Sequence, residues 1–259
     1  MDCREAGDMT LSRFFRENPR AALGFSGGVD SAYLLYAALT AGAQVKAYYV
    51  KSPFQPRFEL EDARRLAEEL GADWEVLEGD PLADPQVAAN PPNRCYFCKR
   101  MIFGRIAEAA RRDGFSLLLD GTNASDDAGD RPGMRALREL EVRSPLRECG
   151  LTKDEVRRLS REAGLFTWEK PAYACLATRI PTGTRITAGD LARVERAEDA
   201  LSRLGFADFR VRLREDGARI QVTEAQMALA RAKWEEILEQ LKPDFTDVLL
   251  DQTPRQASR

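Results

Sequence analysis

The sequence contains no histidine. That absence excludes a Ser-His-Asp triad, a histidine general base and any metal site that needs an imidazole. Acid and base work, if there is any, falls to Cys, carboxylates, Lys, Tyr or the substrate itself. No apolar run approaches the roughly 18 residues of a membrane span. The opening M-D-C-R-E lacks the apolar stretch of a signal peptide. Long basic runs are also missing, and a formal net charge of −3 gives no general attraction for nucleic acid. These absences imply a cytoplasmic chain with no membrane partner. In that setting five cysteines, an odd number, argue against a disulfide framework and for thiol chemistry or metal binding.

What is present suffices for a sizeable core: 259 residues, 44% apolar and 31% charged. Strand-like segments at Ala21–Phe25, Val45–Val50, Trp74–Leu77 and Ser116–Asp120 alternate with helix-like ones at Ser31–Ala41, Phe58–Leu70 and Arg100–Arg112. This is the rhythm of βαβ units, so the fold class is α/β, a doubly wound and mostly parallel sheet. Ligands of such sheets sit beyond the carboxyl ends of the strands. From Thr187 the pattern changes to helix (Leu191, Val194, Ala197, Leu201, Leu204), strands Phe209–Leu213 and Arg219–Val222, a helix to about Leu241 and a strand Val248–Leu250. The expected division is a nucleotide domain over 1–186, a small α+β module for substrate binding or oligomerisation over 187–251, and a polar tail, 252–259, expected to be disordered.

Between the first strand and the first helix stands G-F-S-G-G-V-D-S, residues 24–31. Two adjacent glycines at a strand-to-helix turn leave several backbone N–H groups aimed at one spot, and the helix dipole favours an anion there. Ser26, Gly27, Gly28 and Ser31 would cradle phosphate, and Asp30 would hold Mg²⁺ between phosphate oxygens. The spacing is not that of a Walker A loop. It resembles the pyrophosphatase (PP-loop) ATP enzymes, and the resemblance implies ATP cleaved between the α and β phosphates with a substrate adenylated. The segment Asp120–Gly121–Thr122–Asn123, followed by Asp126, falls on the same sheet edge. Gly121, Thr122, Asn123 and Asp126 therefore join the candidate nucleotide site.

Cys95 and Cys98 form a C-x-x-C at the start of the third helix, where the dipole, Arg94 and Lys99 favour thiolates. Cys175 lies in the irregular loop K-P-A-Y-A-C-L-A-T-R-I-P-T-G-T-R-I-T, residues 170–187, with Arg179 nearby. Cys3 and Cys149 look incidental. On the residues alone, the three thiols fit a structural zinc that lacks a fourth ligand, a dithiol redox pair, a 4Fe–4S cluster with one open iron, or a sacrificial cysteine. Arg210, Arg212 and Arg214 alternate with Phe209, Val211 and Leu213, so the arginines share one face of a strand. That face is either solvated or a phosphate clamp. Arg179 is either ion-paired or a stabiliser of anionic intermediates.

F-S-G-G-V-D-S (25–31), R-C-Y-F-C-K (94–99), D-G-T-N-A-S-D-D (120–127), R-P-G (131–133), R-S-P-L (143–146), L-T-K-D-E-V-R (151–157), the loop 170–187 and R-V-R (210–212) together resemble the LarE-type ATP-dependent sulfur transferases. The resemblance implies a pyridinium bis-carboxylate mononucleotide as substrate. Its carboxylate is adenylated, and sulfur then displaces AMP to give a thiocarboxylate. It also implies Cys175 as the sulfur-bearing catalytic residue together with Asp30 and Arg179, and Cys95, Cys98 and Cys175 as 4Fe–4S ligands. A sulfide or other sulfur donor, substrate contacts from Arg210 and Arg212, and a homo-oligomer follow in the same way. The chain departs from the family pattern at Leu213–Arg214–Glu215, where a histidine is common, and at Asp251–Arg255. Alternatives are a tRNA thiolase with loop and cluster, a sacrificial-cysteine transferase using Cys175 alone, a PP-loop amidotransferase or NAD synthetase-like ligase, and a non-enzymatic ATP- or zinc-binding module.

Overall fold

Short apolar segments separated by helices give a parallel sheet, because each helix must carry the chain back to start the next strand in the same direction. The computed structural model describes residues 11–126, 132–215 and 217–257. Cys3, Asp127 and Arg131 of the motifs above lie outside them. Contacts gather the chain into two units: Met1–Ser52, Arg57–Gly79 and Asn93–Lys170 form the first, and Pro53–Pro56, Asp80–Pro92 and Pro171–Arg259 the second.

In the first unit, strands β1 (Arg20–Gly24), β2 (Gln44–Lys51), β3 (Asp73–Glu78) and β4 (Leu118–Leu119) form one sheet in the order β3-β2-β1-β4. All three pairings are parallel. The helices are α1 (Val29–Thr40), α2 (Arg57–Leu70), α3 (Arg94–Arg112), α4 (Pro132–Glu139) and α5 (Lys153–Glu162). Alternation along β1 sends Ala21 and Leu23 into a core with α1, α2 and α5, and Ala22 into a second core with Phe103 and Ile106 of α3. Both faces are thus covered, as a parallel sheet requires. The sheet and the helices on both sides of it match the expected α/β class.

Two elements differ from their sequence expectation. β4 is shorter than Ser116–Asp120, because the backbone on either side of it pairs irregularly: Leu117 O accepts from Ala22 N and Asp120 N donates to Arg143 O. α3 begins six residues before Arg100, because Tyr96 is buried in its first turn and donates to Glu139 on α4 at 2.6 Å. The C-x-x-C therefore lies within the helix.

In the second unit α6 (Ala188–Arg203) packs on a sheet of β5 (Phe209–Arg214), β6 (Gly217–Val222) and β7 (Val248–Leu250), with α7 (Met227–Ala232) and α8 (Trp234–Leu241) between β6 and β7. β5 and β6 are antiparallel, β6 and β7 parallel. Leu191, Val194, Ala197 and Leu201 of α6 are buried, as are Phe209, Val211 and Leu213 of β5. The unit is not bounded at residue 187. Backbone bonds from Leu176 N to Phe54 O (2.8 Å), Gly183 N to Asn90 O (2.9 Å) and Ile186 N to Ala88 O (2.8 Å) tie the irregular loop and two earlier segments to it. Arg255, in the expected tail, bridges to Thr223 and ion-pairs with Asp208.

The tightest backbone approach in the first unit is at Gly121, where an added Cβ would lie 2.9 Å from Ser31 N and 3.2 Å from its Cα. Gly121→Ala forces rigid backbone apart. We expect it to cost about 1–3 kcal/mol, read as a lower urea midpoint with unchanged slope. An unchanged midpoint would show that the contact yields freely.

Candidate active site

β1 ends at Gly24, and Phe25–Gly28 carries the chain into α1. Gly27 has φ +73°, which only glycine adopts without strain, and a Cβ there would meet Ala63 of α2 at 3.0 Å. Gly28 is the N-cap in extended conformation, and no side chain caps α1. The first amides of the helix therefore stay oriented toward a ligand, as at other anion-binding helix ends. Ser26 Oγ accepts from Gly28 N at 3.3 Å and lies 3.2 Å from Ser31 Oγ. Ser31 Oγ in turn bonds Gly28 O at 3.2 Å. Both hydroxyls thus sit at the loop's mouth.

β4 delivers the second loop beside the first. Asp120 is only 5% exposed and accepts from Thr122 N (3.2 Å), Ser144 Oγ (2.6 Å) and Thr122 Oγ1. This carboxylate shapes the turn that presents Asn123. Asn123 Nδ2 donates to Asp30 Oδ1 at 3.2 Å, while Asp126 accepts from Asn123 N at 3.0 Å. Of the expected nucleotide residues, Ser26, Gly27, Gly28, Asp30, Ser31, Gly121 and Asn123 come together. Thr122 bonds the Asp120 carboxylate, and Asp126 accepts from the loop's own backbone at Asn123.

Lys153 was not singled out from the sequence. It opens α5 behind Thr152, whose capping box with Glu155 fixes where that helix begins. Its Nζ reaches Asp30 Oδ2 at 2.5 Å, and its N–H donates to Ser125 Oγ at 2.9 Å. The motif L-T-K-D-E-V-R contains the signal, but its capping box is by itself a sufficient local reason for that spacing. Both oxygens of Asp30 are engaged, so a divalent cation there would share the carboxylate with the ammonium or displace it. The donor chemistry suits Mg²⁺, a hard cation that prefers carboxylate oxygen.

Cys95 is exposed and Cys98 half-buried in the first turn of α3. Arg94, itself buried, approaches Cys95 Sγ at 4.0 Å. A Cβ at Gly133 would come within 3.2 Å of Lys99 and 3.9 Å of Cys95 Cβ, so α4 passes close beside this turn. Cys149 is different: burial, then Glu148, pushes its thiol up to about 11. It stays protonated at neutral pH. Among the described residues, no group of three or more Cys, Asp and Glu side chains is arranged to hold a metal ion. Cys95 and Cys98 belong to the first unit, Cys175 to the second. By donor chemistry the three thiols, with no imidazole, suit iron and sulfide better than a hard cation.

In the second unit Cys175 is half-buried just before a short 3-10 turn, Leu176–Arg179. Arg179 is 1% exposed and forms a two-pronged ion pair with Glu198, at 2.7 and 3.1 Å. Burial works against its charge, but Glu198 outweighs this and raises its pKa. Arg210 is buried too, with its Nη atoms on Phe209 O (2.6 Å) and Ala172 O (2.7 Å). Burial, with Arg179 and Arg255 nearby, pushes its pKa down to about 10. The expected single arginine face is therefore divided: Arg210 is enclosed, whereas Arg212 and Arg214 are exposed. Arg212 donates to Gln221 at 2.6 Å and to Thr178 O at 2.8 Å.

No protein-family model matches the chain. It is 36% identical over 220 residues to the pyridinium-3,5-bisthiocarboxylic acid mononucleotide synthase of Lactiplantibacillus plantarum, covering 84% of this chain and 80% of that protein. An uncharacterized Synechocystis protein is 40% identical over 218 residues, 84% of this chain and 81% of its own length. A tRNA-specific 2-thiouridylase MnmA from Thermotoga petrophila is 26% identical over 193 residues, covering 58% of this chain and 54% of that enzyme. With two relatives of such identity aligned over most of both chains, and with the S-G-G-V-D-S turn, its parallel sheet and the second loop in register, the chain belongs to the LarE family of sulfurtransferases within the PP-loop superfamily.

Proposed function

We propose that this protein is an ATP-dependent sulfurtransferase that converts a carboxylate of a pyridinium-3,5-biscarboxylic acid mononucleotide into a thiocarboxylate. The observation that carries the reading is the join of Ser26, Ser31, Asp30, Asn123 and Lys153 at the uncapped N-terminus of α1. The relative from Lactiplantibacillus plantarum, named as a bisthiocarboxylate mononucleotide synthase, supports the choice of substrate.

In the first half-reaction a substrate carboxylate oxygen attacks the α-phosphorus of ATP, and the bond to pyrophosphate breaks. A carboxylate is already ionised at pH 7, so no base is needed and a chain without histidine loses nothing. The amides of Gly27 and Gly28 and the Lys153 ammonium would neutralise the departing pyrophosphate, and Asp30 would hold Mg²⁺. In the second half-reaction sulfur attacks the acyl carbon and AMP leaves. Cys95, Cys98 and Cys175 would hold a 4Fe–4S cluster, which when bound supplies an open iron able to carry an extra sulfide. Exposed Arg212 is the better placed of the two expected clamp residues to meet the substrate phosphate. A homo-oligomer in the cytoplasm and a dissociable sulfur donor complete the proposal; among the described residues, no helix is long and apolar enough to cross a membrane.

A second reading, in which Cys175 surrenders its own sulfur and is consumed, asks only for one thiol in a held segment, and Cys175 O is held by Thr178 N at 2.9 Å and Thr178 Oγ1 at 2.8 Å. One experiment separates the two. Anaerobically purified protein is mixed with the bis-carboxylate nucleotide, ATP, Mg²⁺ and sulfide, and product and protein are weighed by mass spectrometry. Iron in the protein and several products per chain support the cluster. One product per chain, with sulfur missing from Cys175, supports consumption, and no thiocarboxylate at all overturns both.

Asp30→Ala and Lys153→Met should each slow pyrophosphate release by roughly a hundredfold, the scale of losing one preorganised charge contact, while thermal melting stays near wild type. Pyrophosphate release at the wild-type rate in both variants would remove these residues from the phosphate site. Arg212→Ala should raise KM for the nucleotide carboxylate by about tenfold and leave KM for ATP unchanged. Equal increases in both would exclude a substrate clamp.

A further inference from the structure

We propose that Glu198 is the positioning residue for Cys175, holding the thiol's segment in place through Arg179. The inference deepens the proposed function, since it rests on Cys175 as the sulfur-bearing residue. Residues 171–175 have no regular secondary structure. Such a segment has no backbone ladder of its own to fix it, and its carbonyls must find partners elsewhere. Here three of them are met. Ala172 O accepts from Arg210 Nη2 at 2.7 Å, Ala174 O from Arg179 Nη1 at 3.0 Å, and Cys175 O from Thr178 N at 2.9 Å and Thr178 Oγ1 at 2.8 Å.

Arg179 ties the segment to the core beside Cys175, and Glu198 is its counter-ion. Glu198, 5% exposed on α6, accepts from Arg179 Nε (2.7 Å) and Nη2 (3.1 Å), from Val211 N of β5 (2.9 Å) and from the Tyr173 hydroxyl. Arg179 and Arg210 also lie over the Tyr173 ring, at 4.7 and 5.2 Å. A single buried carboxylate thus joins helix, strand and the residue two positions before the cysteine. The remaining Arg179 nitrogen, Nη1, is free of Glu198 and bonds Ala174 O and Thr178 Oγ1 (2.8 Å) on both sides of Cys175. If the carboxylate loses its charge, a buried guanidinium is left without its counter-ion and must move toward solvent. The bond to Ala174 O goes with it.

The test uses the full-length protein and three readouts: iodoacetamide alkylation of Cys175 by peptide mass spectrometry, ATP–pyrophosphate exchange, and thiocarboxylate formation. Glu198→Gln should raise Cys175 alkylation by at least about fivefold, the sign of a locally loosened segment. It should lower thiocarboxylate formation by about tenfold while exchange stays within about twofold. Unchanged alkylation, or exchange and transfer falling in proportion, would overturn the proposal. Where Glu198→Gln folds poorly, Arg179→Met combined with Glu198→Leu gives the deciding variant, because an apolar pair of similar volume commonly restores stability. A restored melting temperature with Cys175 still over-reactive supports positioning; restored protection of Cys175 assigns the pair a purely structural role and overturns it. If Cys175→Ser retains transfer, Cys175 is not the sulfur-bearing residue, and alkylation of Glu198→Gln alone then decides whether Glu198 holds the segment.

Discussion

The candidate site of the first unit depends on one close approach, that of the N-terminus of α1 to the backbone at Gly121. The sheet order β3-β2-β1-β4 makes it inevitable that the loops after β1 and β4 meet, because these neighbouring parallel strands end on the same side while their following helices diverge. Meeting is not enough, since two loops with ordinary side chains would be held apart. A Cβ at Gly121 would overlap Ser31 N, and one at Gly27 would overlap Ala63. With both absent, Asp30 and Asn123 come within hydrogen-bond distance across 93 residues of sequence. The buried carboxylate of Asp120 keeps the second loop from relaxing away, since all three of its donors come from that loop or from Ser144 behind it.

The two units use charge in opposite ways. In the first, Lys153 and Asp30 are partly exposed, at 20% and 23% of the side chain. A pair of that kind is worth little to stability, which leaves it able to exchange partners when a ligand of either sign arrives. In the second, Arg179 and Glu198 are almost wholly enclosed. Such a pair gains little over an apolar one in net stability, but breaking it by half is severe. The first arrangement suits binding and release, the second suits holding a shape.

Much of this was legible because it follows local rules. The period-2 and helical spacings placed β1, β2, β3, α2 and α6 nearly to the residue. The S-G-G-V-D-S turn declared its own backbone geometry through its glycines. What escaped depended on distant partners. α3 starts earlier than its apolar spacing suggests because Tyr96 finds Glu139 on another helix. The alternation of β5 put three arginines on one face correctly, yet whether each meets water or carbonyl oxygen was decided by Phe209, Ala172 and Thr178. Lys153 escaped because a residue beside a capping box has a sufficient local explanation, and its bond to Asp30 spans 123 positions. The membership of Pro53–Pro56 and Asp80–Pro92 in the second unit is set by single backbone bonds that no periodicity announces.

The missing histidine and the enclosed arginines are parts of one economy. The reaction we propose begins from an ionised carboxylate and proceeds by sulfur attack, so it asks the protein for fixed positive charge and for placement, with no group that must gain and lose a proton near neutrality. Arginine serves placement well: its planar fork holds two or three oxygens at once and stays charged when buried. That is how Arg179 and Arg210 are used, each with one end on the carbonyls of residues 172–174. A sulfur-bearing segment built as helix or strand would bury its own backbone bonds and leave the thiol wherever the element's geometry put it. An irregular segment can present the thiol freely, but it needs partners for its carbonyls. Buried guanidinium groups supply those partners, and Glu198 is the counter-charge that lets Arg179 remain buried.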